Sequence, residues 1–259
     1  MAFTIALAGK GGTGKTTMAA LLVRALRELG ARSVLAVDAD PNACLHEALG
    51  LEVERSVGDI TEEMLRLADD NRPGGMDKET WLELNVNRYV VESTECDLLS
   101  MGRPEGSGCY CYANNLVRAC MDDLSRSYEY VIMDNEAGLE HLSRRTTRNV
   151  DLLLLIADPS VRGIRTARTL DELAGELGIA VGARYLVVDR AQEPLDPVLL
   201  EAVAATGIPL LGTVPSDDGV TRCDLLGTGL FDLPDDSPSL AAVKEMVTRA
   251  VPVLSGASV

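Results

Sequence analysis

A glycine-rich loop between an apolar segment and a helical pattern constrains this 259-residue chain more than any other feature. Residues 3–8 predict a strand, residues 16–29 predict a helix, and the loop reads Gly9-Lys10-Gly11-Gly12-Thr13-Gly14-Lys15-Thr16. The run satisfies G-x-x-x-x-G-K-S/T, in which backbone N–H groups surround phosphate oxygens and the following helix adds its positive end. The order strand, loop and helix therefore predicts a phosphate-binding loop.

This loop predicts contacts with a nucleotide and with magnesium. Lys15 is placed to bring its charge to the outer phosphates, and the Thr16 hydroxyl is placed to ligate Mg²⁺. We expect ATP as the substrate and ADP as the product. The residues expected to contact the nucleotide through this loop are Gly11, Gly12, Thr13, Gly14, Lys15, Thr16 and Thr17.

Apolar runs alternate with helical patterns along the whole chain. Further strands are predicted at residues 33–37, 96–100, 130–133, 152–157, 185–188 and 210–214. Further helices are predicted at residues 114–125, 163–177, 197–205 and 240–250, and residues 68–75 look like an exposed connection. This alternation predicts an α/β fold with a mostly parallel central sheet, flanked by helices on both faces, in one domain spanning 1–259.

Composition narrows the range of partners and compartments. The net charge of -16 disfavours nucleic acid and anionic membranes, because affinity for phosphate backbones depends on Lys and Arg. No run reaches the roughly 18 apolar residues of a membrane span, and the N-terminus has no export signal. We therefore expect a cytoplasmic protein whose six cysteines are thiols.

Lys10 is a second lysine at the start of the loop, which the general pattern does not require. GKGGTGKTT resembles the deviant-Walker ATPases, a group that includes cell-division, plasmid-partition and arsenite-pump ATPases and the nitrogenase iron protein. The resemblance implies that Lys10 reaches the partner's phosphates across a homodimer. There it would stabilise charge that develops in the transition state.

Two acidic segments follow predicted strands, at the sheet edge where ligands bind in open α/β folds. Asp38 and Asp40 follow residues 33–37, whereas Asp134 and Gly138 follow residues 130–133. By the same resemblance, Asp40 orients the attacking water and Asp38 has a supporting role on the metal side. Asp134 suits the holding of Mg²⁺ through its water shell, and the Gly138 N–H suits a contact with the γ-phosphate.

For the nucleotide base, ATPases of this group use an Asn after a late strand and a Pro-x-Asp segment after the next. Pro215-Ser216-Asp217 matches the second element, and Asp189-Arg190 stands where the first is expected. An Asp accepts hydrogen bonds but has no amide proton to donate. We expect Asp189, Arg190, Pro215 and Asp217 to contact the nucleotide, with ATP as the preferred one.

Cys109 and Cys111 lie two residues apart after a loop rich in glycine. A disulfide between them would be strained, and two thiolates are too few to complete a tetrahedral metal site. A dimer whose two-fold axis passes between these loops would supply four thiolates. This pair therefore favours a metal shared across the dimer, and two structural thiols are the alternative.

MGRPEGSGCYCYANNL, DADPNA and DNEAGLEHLSRRT together resemble the CooC family, the ATPases that help insert nickel into carbon monoxide dehydrogenase. The resemblance spans residues 3 to about 220. It implies an ATP-dependent homodimer that binds Ni²⁺, or Zn²⁺ in its place, between the Cys109 and Cys111 pairs. Nickel carbon monoxide dehydrogenase would be the client.

Two other functions remain open at this point. A positioning ATPase of the division or partition kind would need a membrane-seeking tail or a basic DNA-binding face. An ATP-dependent iron–sulfur scaffold would share the thiols. The nitrogenase iron protein itself needs a cysteine in the second acidic segment, where this chain has Asn135-Glu136-Ala137-Gly138.

Overall fold

The computed structural model describes residues 2–40, 42–67, 75–102, 111–136 and 149–251, with residues 111–114 described by their backbone alone. Its strands form one seven-stranded sheet in the order β3-β2-β4-β1-β5-β6-β7. They are β1 Phe3–Gly9, β2 Val34–Ala39, β3 Asp97–Ser100, β4 Tyr130–Asn135, β5 Asn149–Ala157, β6 Ala180–Asp189 and β7 Leu210–Val214. All neighbouring pairs of these strands are parallel, which confirms the predicted α/β class.

Helices cover both faces of the sheet, as predicted. They are α1 Lys15–Glu28, α2 Leu45–Leu49, α3 Val57–Arg66, α4 Lys78–Arg88, α5 Cys111–Ser125, α6 Val161–Glu176, α7 Pro197–Thr206, α8 Asp218–Leu226 and α9 Pro238–Ala250. Side chains of α1, α2 and α9 pack on one face, and those of α3 to α7 pack on the other. Both layers are mostly aliphatic, with Trp81 in one and Tyr130 in the other. Each strand contributes to both layers, because successive strand residues point to opposite faces. No helix in the described ranges is both long and apolar enough to cross a bilayer.

The seven predicted strands are all present, and their ends differ from the sequence-based prediction. β5 starts at Asn149 and β6 starts at Ala180, before the apolar runs that indicated them. The first half of β6 alternates between exposed and half-buried residues, so hydropathy marked only its buried end. Four helices were not predicted, namely α2, α3, α4 and α8. Residues 68–74 of the predicted connection lie outside the described ranges.

Parallel pairing brings the carboxyl ends of the strands to one edge of the sheet. β1 lies between β4 and β5, so the loop after Gly9 emerges near the middle of that edge. Asp38 of β2 is the register partner of Asp134 of β4, which in turn pairs with Leu7 of β1. Residues that are far apart in the sequence therefore meet around the loop.

Candidate functional site

The loop after β1 turns sharply at glycines, and larger residues would not fit at these positions. Gly12 and Gly14 have φ values of 79° and 84°, in the left-handed region that favours glycine. A Cβ at Gly9 would lie 2.4 Å from the carbonyl oxygen of Ile156, so the loop leaves the sheet in close contact with β5. Lys10, Gly11 and Gly12 are exposed. The loop therefore presents its backbone to solvent.

The two lysines of the loop have different environments. Lys15 is buried at the start of α1, and its Nζ donates to the Lys10 carbonyl oxygen at 3.4 Å. The Thr13 hydroxyl donates to the same carbonyl at 2.8 Å, whereas the Lys10 side chain is exposed. The first turn of α1 contains no acidic residue of its own, and a helix N-terminus favours an anion.

Thr16 and Asp134 form the centre of the phosphate side, by which we mean residues 9–17 together with Asp38, Asp40 and Asp134. The Thr16 hydroxyl donates to Oδ2 of Asp134 at 2.6 Å. Asp134 is 1% exposed, and its Oδ1 has no hydrogen-bond partner among the described residues. Burial raises the pKa of Asp134 to about 7, and the Thr16 hydrogen bond offsets only part of that effect. A buried carboxylate with a free oxygen beside a threonine hydroxyl fits Mg²⁺, which prefers oxygen ligands.

Asp38 uses both carboxylate oxygens to hold the segment that follows it. Oδ1 accepts from the Asp40 N–H at 3.2 Å and Oδ2 accepts from the Leu45 N–H at 2.8 Å. Burial raises the pKa of Asp38 to about 6 despite these two bonds. Asp40 itself is half-buried, and its Oδ1 accepts from the Asn42 N–H at 2.8 Å. Asp38 thus helps to fix the position of Asp40, and its role on the metal side stays a prediction.

Asn135 is a buried polar residue of this edge that the sequence reasoning missed. It is 0% exposed, and its Nδ2 donates to the carbonyl oxygens of Leu7 and Met133 at 2.9 and 3.3 Å. These bonds tie the end of β4 to β1, immediately beside Asp134. The available signal was an amide directly after the Asp that ends an apolar strand.

A cavity of about 210 Å³ lies beside the phosphate loop, and we call it the base-side pocket. It is lined by Gly14, Thr17, Leu21, Asp189, Arg190, Val214, Pro215, Ser216, Asp217, Val220, Thr221, Asp224 and Ser239. The four residues predicted to meet the nucleotide through its base therefore line one cavity. The Arg190 Nη2 donates to the Gly12 carbonyl oxygen at 2.7 Å, which links this pocket to the phosphate loop.

The carboxylate of Asp217 is occupied by its own chain. Oδ1 accepts from the Gly219 N–H at 2.8 Å as the cap of α8, and Oδ2 accepts from the Ser237 hydroxyl at 2.6 Å. Ser239 adds its hydroxyl at 2.8 Å and its N–H at 3.2 Å. Burial raises the pKa of Asp217, but these hydrogen bonds outweigh it and lower the pKa overall. The side chain therefore joins α8 to the start of α9.

The thiol site lies largely outside what the structure describes. Cys109 and Gly138 are outside the described ranges, and Cys111 is described only as the first backbone position of α5. Within the described residues, no group of three or more His, Cys, Asp or Glu side chains is arranged to hold a metal. The remaining cysteines are free: Cys96, Cys120 and Cys223 are buried, and Cys44 is exposed.

Comparison with known proteins identifies a nucleotide-binding family and relatives that match most of this chain. The model of the CobQ/CobB/MinD/ParA nucleotide-binding domain matches residues 4–230. An uncharacterised ATP-binding protein of Methanocaldococcus jannaschii is 42% identical over 248 residues, covering 95% of this chain and 98% of that protein. The carbon monoxide dehydrogenase accessory protein CooC of Rhodospirillum rubrum is 34% identical over 239 residues, covering 88% and 89%.

Among solved structures, the septum site-determining protein MinD of Pyrococcus horikoshii, complexed with Mg-ADP, has the same fold. Its TM-score is 0.70 at 19% identity, with 99% of this chain and 98% of that chain covered. The glycine loop, the acidic strand ends and every lining residue of the pocket except Ser239 lie within the matched range of the family model.

Proposed function

This chain belongs to the CobQ/CobB/MinD/ParA nucleotide-binding family, and we propose that it is an ATP-hydrolysing homodimer that helps to insert nickel into carbon monoxide dehydrogenase. The observation that carries the ATPase part is the hydrogen bond between half-buried Thr16 and buried Asp134, whose Oδ1 has no hydrogen-bond partner among the described residues. The resemblance of the Cys109 and Cys111 region to the CooC family supports the nickel part.

In this proposal each residue of the phosphate side has a separate task. Thr16 and Asp134 hold Mg²⁺, which neutralises charge on the phosphates when it is bound. Lys15 lies at the start of α1, where its charge and the helix N-terminus both favour the outer phosphates. Asp40, held by Asp38, orients the attacking water. The exposed Lys10 is free to reach the partner's nucleotide across the dimer.

The cargo site needs two chains. Each chain contributes Cys109 and Cys111, and four thiolates complete a site for a soft metal ion. Zn²⁺ suits a tetrahedral arrangement, whereas Ni²⁺ also accepts a square-planar one. Closure of the dimer by ATP would organise this site, and hydrolysis would release the metal to the client.

The decisive experiment measures nickel binding and dimer formation together. Sedimentation with and without Ni²⁺, in ADP and in ATP, should show a dimer that carries one Ni²⁺ per two chains. Cys109→Ser and Cys111→Ser should each lose nickel-supported dimerisation while retaining nucleotide binding. Cys44→Ser is the matched control, because Cys44 is an exposed free thiol outside the proposed cargo site.

Stoichiometric nickel binding by Cys109→Ser would remove the nickel function and leave the ATPase proposal in place. A dimer that forms with ATP alone, binds no nickel and associates with anionic vesicles would favour a positioning ATPase, since the family includes MinD and ParA. A brown, broadly absorbing purified protein would favour the iron–sulfur scaffold.

A further inference from the structure

Helix α7, Pro197–Thr206, is apolar on its outer side as well as on the side that faces the sheet. Val203 is buried and Leu199 is half-buried against the core. On the outer side, Val198 is 60% exposed and Leu200 is 47% exposed. A helix that is apolar all round is expected to be covered on every side. These exposed fractions show that no described residue covers the outer side of α7.

The outer side of α7 differs from that of α6, which packs beside it on the same face of the sheet. The exposed residues of α6 include five charged ones, Arg162, Arg165, Arg168, Glu172 and Glu176. The exposed residues of α7, which we call the α7 face, are Pro197, Val198, Leu200, Glu201, Ala204 and Ala205. Only one of these six carries a charge, in a chain with a net charge of -16. An apolar patch beside charged residues is typical of an interaction site.

The α7 face is arranged so that two copies of it fit each other. Its larger side chains, Val198 and Leu200, lie in the first half of the helix, and the small Ala204 and Ala205 lie in the second half. In an antiparallel pair about a two-fold axis, the first half of each helix meets the second half of the other. With the axis level with Glu201, Val198 lies opposite the two alanines. Large residues then face small ones, as close packing requires.

The same axis brings opposite charges to one level. α6 follows β5 and α7 follows β6, so the two helices run in the same direction, and Arg168 Nη1 donates to the Ala205 carbonyl oxygen at 3.4 Å. Arg165 and Glu201 each stand about one turn before that linked pair. Neither side chain has a hydrogen bond or ion pair among the described residues. The two-fold axis therefore places Glu201 of one copy level with Arg165 of the other.

The composition of the α7 face favours a second copy over other occupants. Helices that lie on membrane surfaces use aromatic residues together with Lys or Arg, and the α7 face has neither. The match of large with small residues, and of Glu201 with Arg165, is a match of this surface with itself. That self-complementarity is what a two-fold interface between identical chains requires.

We propose that two copies of this chain associate through the α7 face, with their α7 helices antiparallel. This face lies on one side of the sheet, away from the edge that holds the phosphate loop. The interface is therefore separate from the nucleotide-dependent dimer of the proposed function and does not require it. A ten-residue helix offers a small interface, so the association is weak and becomes visible at high protein concentration. Nucleotide-dependent dimers joined through it form larger assemblies.

The test is sedimentation equilibrium of the full chain without nucleotide or metal, from about 10 μM to about 1 mM protein. The mass of the unaltered protein should rise from one chain toward two. Val198→Glu and Leu200→Glu should each weaken the association about tenfold or more, because each buries an unpaired charge twice in the dimer. Leu84→Glu is the matched control, because Leu84 is a 53% exposed leucine of α4 and should leave the association unchanged.

An exchange of charges tests the antiparallel arrangement. Glu201→Arg and Arg165→Glu should each weaken the association a few-fold, because like charges then face each other. The double variant should restore the unaltered affinity, since it reverses both members of each pair. Single variants that weaken the association without rescue by the double variant would overturn this arrangement.

The other outcomes overturn the interface itself. A mass that stays at one chain throughout the range would exclude a second copy and leave a different protein as the occupant of the α7 face. Unaltered association of Val198→Glu and Leu200→Glu would assign the contact to another surface. Binding to neutral phosphatidylcholine vesicles that Val198→Glu abolishes would assign the α7 face to a membrane. In each case the nucleotide-dependent dimer would remain untouched, because it is measured with ATP and Ni²⁺ present.

Discussion

Asp134 and Asp217 lie at the same edge of the sheet, one at the end of β4 and the other just after β7, and their environments differ in kind. Asp134 accepts one described hydrogen bond, from Thr16, and burial raises its pKa to about 7. Asp217 accepts four hydrogen bonds from Gly219, Ser237 and Ser239, and its pKa is lowered. Asp134 therefore has one oxygen without a hydrogen-bond partner among the described residues, whereas both oxygens of Asp217 have partners.

This difference separates a residue prepared for a ligand from a residue that holds the fold. A buried carboxylate without enough donors is costly when it is ionised, and a cation relieves that cost. A carboxylate that caps one helix and joins the next has no such need. Asp134 on the phosphate side is therefore suited to a cation, whereas the hydrogen bonds of Asp217 come from its own chain.

The largest effect should follow from changes at Asp40. Asp40→Ala and Asp40→Asn should each lower ATP turnover by about 10²–10⁴-fold, the range typical of a lost acid–base or water-positioning group, with nucleotide affinity nearly unchanged. Asp40→Asn keeps an oxygen that can accept the Asn42 N–H, so it preserves the turn. The rate of ATP hydrolysis, measured with enzyme in excess over ATP, checks this prediction.

Normal hydrolysis by Asp40→Asn together with loss in Asp40→Ala would assign Asp40 to the turn alone. Normal hydrolysis by both variants would show that another residue orients the water. Either result would restrict the contrast with Asp217 to Thr16 and Asp134, because Asp40 would then have no role reserved for the substrate.

The sequence predicted the phosphate side in more detail than the base side, for a physical reason. A strand, a glycine loop and a helix are contiguous, so local pattern predicts their geometry. The two apolar runs before Asp38 and Asp134 predict parallel strands whose carboxyl ends meet at one edge of the sheet. The pocket instead joins residues 14, 189, 215 and 239, which only the tertiary fold brings together. Asp217 showed the limit most clearly, since its donors Ser237 and Ser239 carry no motif.

The second largest effect is expected from a substitution at Gly14, where the phosphate side meets the base-side pocket. Gly14 and Gly12 both have positive φ, so alanine strains both positions, but a Cβ at Gly14 also lies 2.3 Å from Oδ2 of Asp189. Gly12 has no atom within 4 Å of that place. Gly14→Ala should therefore destabilise the chain by about 1–3 kcal/mol more than Gly12→Ala, the usual range for overpacking.

Denaturant unfolding without nucleotide measures that difference. Combining Asp189→Ala with Gly14→Ala should remove most of this extra destabilisation, because the carboxylate that the new Cβ would contact is then gone. Equal free energies of unfolding for Gly12→Ala and Gly14→Ala would show that Asp189 moves away without cost. The Asp189 side chain of the base-side pocket would then be less tightly held than its contacts indicate.

The smallest effect concerns the ionisation of Asp134 in the free protein. Its folded pKa of about 7 lies above the ordinary value of 3.8, so the native state holds this proton more tightly than the unfolded state. Stability therefore falls as pH rises from about 4 to about 7, and the loss is complete above that range. Asp134→Asn removes the charge and should raise the unfolding temperature at pH 8 more than at pH 5. A gain of about 1 kcal/mol corresponds to about 2–4 °C in a chain of this size.

Thermal unfolding is measured at both pH values. Asp236→Asn, which removes an exposed carboxylate, separates the effect of Asp134 ionisation from that of the surface charge in general. Adding Mg·ADP should stabilise the unaltered protein more than Asp134→Asn, because only the carboxylate gains a cation. If Asp134→Asn gave the same change at pH 5 and pH 8, Asp134 would not be ionised without a partner in the free protein. Its free oxygen would then carry no electrostatic demand for magnesium, and the contrast with Asp217 would be one of hydrogen bonding alone.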